Sequence, residues 1–146
     1  MLFKRISRAT AEVAYIVAKN VSGSVATAGY HVVFDTGASA DGVRVTQATT
    51  AALNAYAGIA DSDIADGAYG LLQVYGYRAS AYVYSSAGSS VAGTTFNVIN
   101  AEWGVTPTAA GASSAVAKAF GFMMAAVTAS TSSQFHTTAA VFVRAL

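Results

Sequence analysis

Tyr69-Gly70-Leu71-Leu72-Gln73-Val74-Tyr75-Gly76-Tyr77-Arg78-Ala79-Ser80-Ala81-Tyr82-Val83-Tyr84 is the stretch on which the fold turns. Aromatic and β-branched residues alternate with small or polar ones, the period of a half-buried strand. Before Gly76, Leu72 and Val74 share one face while Gln73 and Tyr75 share the other. After it, Tyr77, Ala79, Ala81 and Val83 form the more apolar set, opposite Arg78 and Ser80. The apolar parity therefore switches at Gly76. A one-residue bulge there keeps both apolar sets on one core, and glycine suits a bulge. The stretch reads as two strand segments, 69–75 and 77–84, joined at Gly76.

The same pattern extends in both directions. Short runs rich in Val, Thr, Tyr and Phe predict further strands near 13–19, 30–34, 42–46, 53–59, 95–99 and 139–144. Segments rich in Gly, Ser, Asp and Asn separate them as turns. Pro107, the one proline, follows Thr106 and marks an extended or turn segment. The fold class is mainly β: one small barrel-like or sandwich-like domain over 13–146. One segment reads two ways. Val116, Phe120, Met123, Met124 and Val127 fall on one helical face, with Ser113 or Ser114 as N-cap, so 113–127 fits a helix. Gly121 and the off-face Phe122 fit a buried strand equally well.

Charge is scarce. Asp, Glu, Lys and Arg make up 10% of the 146 residues, hydrophobic residues 54%, and mean hydropathy is +0.47. About 25% charged is usual. A monomer of this size relies on a charged skin for solubility, so this chain is expected to cover its surface with copies of itself or with a partner. A net charge of +1 argues against a general nucleic-acid field. The absence of cysteine excludes disulfides and thiolate metal sites. The longest nearly apolar run, 115–127, falls short of the roughly 20 residues a spanning helix needs, so no membrane partner is expected. Residues 1–12 form a distinct arm, extended or briefly helical, basic through Lys4, Arg5 and Arg8. No apolar signal-peptide run precedes Glu12. A frayed terminus is one reading; Leu2, Phe3 and Ile6 would be wasted on a solvated tail, which favours an arm that orders against a neighbour.

The sharpest catalytic lure is Val32-Val33-Phe34-Asp35-Thr36-Gly37-Ala38-Ser39. It resembles the aspartic-protease motif, in which two such Asp residues share a proton and split their pKa values. A homodimer would supply the second Asp35. The later retroviral-type segment is missing: Val74-Tyr75-Gly76 and Ala119-Phe120-Gly121 lead into Tyr77-Arg78 and Phe122-Met123. The alternative reading is a turn in which Asp35 caps its own backbone and Gly37 supplies a positive φ. Asp61, Asp63 and Asp66 lie in a Gly-ended loop, but Ala65 and Leu72 stand where an EF-hand needs ligands. His31 and His136 sit in no ligand-spaced motif. Elbow, P-loop and dinucleotide fingerprints are lacking. Tyr75 and Tyr77, with Arg78 beside them, read as candidate contact residues, because tyrosine and arginine are enriched at protein interfaces. No enzymatic role and no cofactor are expected.

Several segments resemble the capsid decoration (cement) proteins of tailed bacteriophages. The likeness is carried by Ala57-Gly58-Ile59-Ala60 and, after an acidic spacer, Ile64-Ala65-Asp66-Gly67-Ala68-Tyr69-Gly70-Leu71-Leu72-Gln73-Val74-Tyr75-Gly76. Val17-Ala18-Lys19-Asn20-Val21, Ala28-Gly29-Tyr30 and the ending Val141-Phe142-Val143-Arg144-Ala145-Leu146 support it. The resemblance implies a β-rich structural virion protein on the capsid exterior, assembled in the host cytoplasm. Its partners would be the major capsid protein and copies of itself, a trimer among them. Capsid contacts would then fall to Leu2, Phe3, Lys4, Arg5, Ile6 and Arg8 of the arm and to Tyr75, Tyr77 and Arg78 of the domain. Another virion module, from a tail or head fibre, and the homodimeric protease are the alternatives.

Overall fold

The computed structural model describes residues 12–37, 39–85, 90–108, 120–128 and 135–145. The described chain is mainly β, as the composition predicts. Its strands are β1 (Val13–Asn20), β2 (His31–Phe34), β3 (Arg44–Thr46), β4 (Tyr56–Ala60), β5 (Tyr69–Ser85), β6 (Phe96–Val98), β7 (Val105–Pro107), β8 (Gly121–Met123) and β9 (Phe135–Arg144). One 3-10 turn, Thr50–Ala52, is the only helical element among the described residues. The turn that follows it through Leu53 and Asn54 takes up the start of the predicted 53–59 strand, so β4 begins at Tyr56.

β5 organises everything else. Its first half pairs antiparallel with β1 and β4, and its second half pairs with β9 and β7. On one side the pairings run β1–β3–β2–β4–β5 and return to β1. On the other, β5–β7–β6 and β5–β9–β8 meet through the isolated bridge Thr95↔Phe122, with Ser90↔Val127 linking the segments beside β6 and β8. The joins are thin, with two residue pairs at β1–β3 and two at β4–β5, so both wraps stay partly open. Each half carries a core. Ala18, Ala26, Val32, Val45, Ala57, Ala60, Ile64 and Leu72 fill the first, and small residues let those strands crowd together. Val33, Tyr56, Ile59, Ala81, Val83, Phe96, Val105, Met123, Val141 and Val143 belong to the second.

The parity switch in β5 is real but is not at Gly76. The β5–β9 ladder is regular from Tyr75↔Arg144 through Gly76↔Val143 to Arg78↔Val141. The register slips instead between Arg78 and Ala81 against β9, and opposite Ala14 and Tyr15 on β1, where Val74 is the extra residue. Leu72 and Val74 are buried on the near side of the Arg78–Ala81 slip and Ala81 and Val83 beyond it, while Tyr77 and Ala79 are exposed rather than inward. The two predicted segments are accordingly one strand of 17 residues. Gly76 is required for another reason. Its φ is +105°, and a Cβ there would overlap the Glu12 carbonyl oxygen at the start of β1.

Of the two readings for 113–127, the extended one holds over the described part. Gly121–Met123 is a strand on β9, and Val127 bridges Ser90. The helix is excluded there because Gly121 lies so close to β9 that a Cβ would meet the Phe142 carbonyl oxygen, and Gly121 and Met123 point inward while Phe122 does not. Residues 113–119 lie outside the described residues. β7, anticipated only as an extended or turn segment at Pro107, pairs in parallel with β5 through Val83↔Val105.

Gly76→Ala should lower the unfolding free energy by about 2 kcal/mol or more, from backbone strain plus overlap. Gly67→Ala, at φ +76° with nothing near the added carbon, should cost only about 1–2 kcal/mol. Denaturant titration of both variants checks the order; equal losses would contradict it.

Candidate interaction surfaces

The residues singled out from sequence meet different fates. Leu2, Phe3, Lys4, Arg5, Ile6 and Arg8 lie outside the described residues. Tyr75 is half-buried, its ring edge-on to Phe142 at 5.2 Å, and Phe122 stacks on the far side of that pair at 5.2 Å from Phe142. Tyr77 is 42% exposed and stands opposite Phe142 in the ladder. Arg78 is largely enclosed. Its Nη1 donates to Asp61 Oδ1 at 2.6 Å, and its Nη2 donates to the Asp61 and Ala60 carbonyls at 3.1 and 3.3 Å. This guanidinium ties the irregular part of β5 to the end of β4, which leaves it few donors for an outside partner.

The acidic residues are similarly committed. Asp63 Oδ1 accepts from the Ala28 amide at 2.8 Å, and Asp66 Oδ1 from the Gly23 amide at 2.9 Å. The loop thus clamps the 21–28 segment rather than converging on an ion. No cluster of His, Asp and Glu suited to a metal occurs among the described residues. Asp35 Oδ1 accepts from the Gly37 amide at 2.9 Å, so the protease-like triplet takes the geometry of a self-capped turn. Gly37 is not at positive φ, contrary to the turn reading; it is small because a Cβ would press on Asp35 Oδ1 at 3.1 Å.

Two surfaces emerge outside the candidate contact residues. The first is the outward face of the β1–β5 ladder. Val13, Tyr15 and Val17 of β1 are 43%, 42% and 59% exposed, and Leu71 and Tyr69 of β5 are 44% and 65%. Val17 stands opposite Leu71 and Lys19 opposite Tyr69, with Lys19 Nζ 5.8 Å from the Tyr69 ring centre. Covering these five side chains would return on the order of 1 kcal/mol each. Association itself costs at least about 4 kcal/mol, so this face is useful only against a partner that also brings apolar surface. The signal was present in Val13-Ala14-Tyr15-Ile16-Val17-Ala18, apolar on both faces where a solvated strand has one polar face.

The second surface is an aromatic row. Trp103 stacks on Tyr30 at 5.2 Å, Tyr30 leans on Tyr82 at 4.9 Å, and Tyr82 stacks on His136 at 5.2 Å, which in turn meets Tyr84 at 5.1 Å. Tyr82 alternates with the inward Ala81 and Val83, so the row lies on the outer side of β5. Partial burial, then the nearby Tyr30 and Glu102, raise the Tyr82 phenol above its ordinary range.

His31 lies on the opposite, inward side of β2. Its Nδ1 is 2.7 Å from Tyr56 Oη, its ring is edge-on to Phe96, and its Nε2 has no hydrogen-bond partner among the described residues. Burial, then the positive charge of Arg78, lower its pKa from 6.5 to about 3. Burial also pushes the Tyr56 phenol well above its usual value. The pair is a neutral hydrogen-bonded core element, not a surface acid or base.

No protein-family model matches the chain, and no curated protein matches it. Among solved structures, it is similar to the N base of the head fibre protein gp8.5 of bacteriophage phi29, at 16% identity and a TM-score of 0.48. The match covers 91% of this chain and 96% of that one. A likeness at that level assigns no function to this chain.

The buried His31 makes stability fall with acid. The folded state stays unprotonated at this site below pH 6.5 while the unfolded state takes up a proton, so its contribution is full above pH 6.5 and is lost as the pH drops toward 3. Replacing His31 by Asn removes the linkage. The difference in unfolding free energy between wild type and H31N should shrink by up to about 1.4 kcal/mol per pH unit across that window. Parallel curves would contradict the assignment.

Proposed function

We propose that this chain is a structural virion protein of a bacteriophage, bound to the exterior of the capsid shell. It holds neighbouring copies of the major capsid protein together and carries out no catalysis. The observation that carries this reading is the outward apolar face of β1 and β5 in a chain only 10% charged. Such a surface favours a permanently occupied interface over a free life in solution. The resemblance of the 57–76 stretch to decoration proteins supports the same reading, and the Gln73 and Gly76 of that stretch have structural work to do in β5. Many modest contacts repeated over a shell suffice, because multivalent attachment raises the effective affinity. In this reading Leu2, Phe3 and Ile6 add apolar contacts from the arm, Lys4, Arg5 and Arg8 flank them, and Tyr77 contributes from the domain.

Cryo-EM of the native particle tests the location: density on the shell exterior is expected, and density confined to a tail or a fibre would overturn the cement role. Replacing Leu2, Phe3 and Ile6 together by Ser should weaken co-sedimentation with expanded shells at least about tenfold, since three lost contacts of order 1 kcal/mol each exceed the 1.4 kcal/mol that a decade requires. Peptide cleavage at acidic pH that is abolished by Asp35→Asn would contradict the non-enzymatic assignment.

A further inference from the structure

Among the described residues, β1 has a ladder partner on one side only over most of its length. β5 pairs with it from Val13 to Lys19, whereas β3 reaches only Lys19 and Asn20. Lys19 and Val21 donate their amides to the β3 side, at Val43 and Val45. By the two-residue period of a strand, the backbone groups of Tyr15 and Val17 point the same way, beyond the end of β3. An open edge of this kind is a template for strand addition. The exposed side chains beside it are Val13, Tyr15 and Val17.

We propose that the edge is filled by β1 of a second copy of this chain, antiparallel about a two-fold axis at Tyr15. In that register Tyr15 stands opposite Tyr15 of the second copy, and Val13 opposite its Val17. The pairing is isologous, so each strand supplies the same edge and the same apolar row. Residues on the two strands that face each other share a face of the sheet, and only registers centred on one residue preserve this. Charge selects the direction. The uncharged run 13–18 is bounded by Glu12 and Lys19. Antiparallel pairing sets the Glu12 end of each strand beside the Lys19 end of the other, whereas parallel pairing would set like charges together. β3 limits the joint, because Val43 already occupies the edge at Lys19. The shared ladder therefore spans 13–17 in each copy and brings two β1–β5 faces into one continuous apolar surface. The pairing does not depend on the chain sitting on a capsid shell.

The wild-type chain has no cysteine, so single substitutions report the register without background. Directly opposite residues of a hydrogen-bonded pair lie about 5.5 Å apart, within the span of a disulfide. In the full-length chain, mild oxidation should link Y15C to itself about tenfold faster than V13C or V17C alone, because pairing raises the local thiol concentration to the millimolar range. V13C mixed equally with V17C should link as fast as Y15C does, but only in about half of the dimers, those that pair the two variants. All three sites are exposed, so the variants should fold, and circular dichroism confirms that they do. A Y15C chain that stays monomeric and unlinked would overturn the proposal; it is the outcome expected if residues 1–11 of the same chain cover the edge. Equal linking of all three single variants, the mark of random collision, would overturn it too.

Discussion

The structure depends on how one long strand serves two cores. β5 presents Leu72 to the first and Ala81 and Val83 to the second, residues of opposite parity, just as β2 and β4 give Val33, Tyr56 and Ile59 to the second core and their neighbours Val32, Ala57 and Ala60 to the first. The strand is also distorted at two places, and the distortion leaves backbone carbonyls to satisfy. Gln73, almost wholly buried, does this from within the strand: its Nε2 donates to the carbonyls of Tyr77 at 3.0 Å and Tyr75 at 3.3 Å. Gly76 lies between them at positive φ, close under the start of β1. Arg78 then anchors the second irregularity to Asp61. Glutamine, glycine and arginine within six residues thus set the path that β1, β4, β7 and β9 follow.

That use of polar residues explains what the surface can do. Arg78, Asp61, Asp63, Asp66 and Asp35 all bond within the chain. Asn20 is buried at the end of β1, donating to the Ser24 and Ile64 carbonyls at 2.7 and 2.8 Å. With so few charges to begin with, little remains for a solvated skin, and the outer side of the β1–β5 ladder is left apolar. The row from Trp103 to Tyr84 adds a second, partly buried region of rings, exposed at His136 and buried at Tyr84. Both suit lasting contacts with protein surfaces, where aromatic side chains bury large area at low entropic cost.

Much of the fold was legible in the sequence, because strand period and turn chemistry are local. β1, β2, β3, β6 and β9 fall where alternation and Gly- and Asp-rich turns place them. The failures were non-local. Whether parity switched at Gly76 or a few residues later depends on what β1 and β9 place opposite, which no single strand reveals. The 121–123 strand was ambiguous because an Ala- and Met-rich run satisfies a helical period until the Phe142 backbone arrives against Gly121. Of the candidate contacts, Tyr77 is on the surface and Arg78 is tied inward, since nothing in Tyr77-Arg78 announces Asp61 across the sheet. The β1 face was missed although its residues lay in plain view; apolar character on both faces of a strand reads equally well as deep burial.

The central claim is that the outward β1–β5 face is covered in the working state of the protein. Hydroxyl-radical footprinting measures this directly, comparing the dilute isolated chain with the chain in the particles to which the proposed function assigns it. Tyr15, Tyr69 and Leu71 should be modified readily in isolation and protected in the particle. Equal modification of all three in both states would contradict the account.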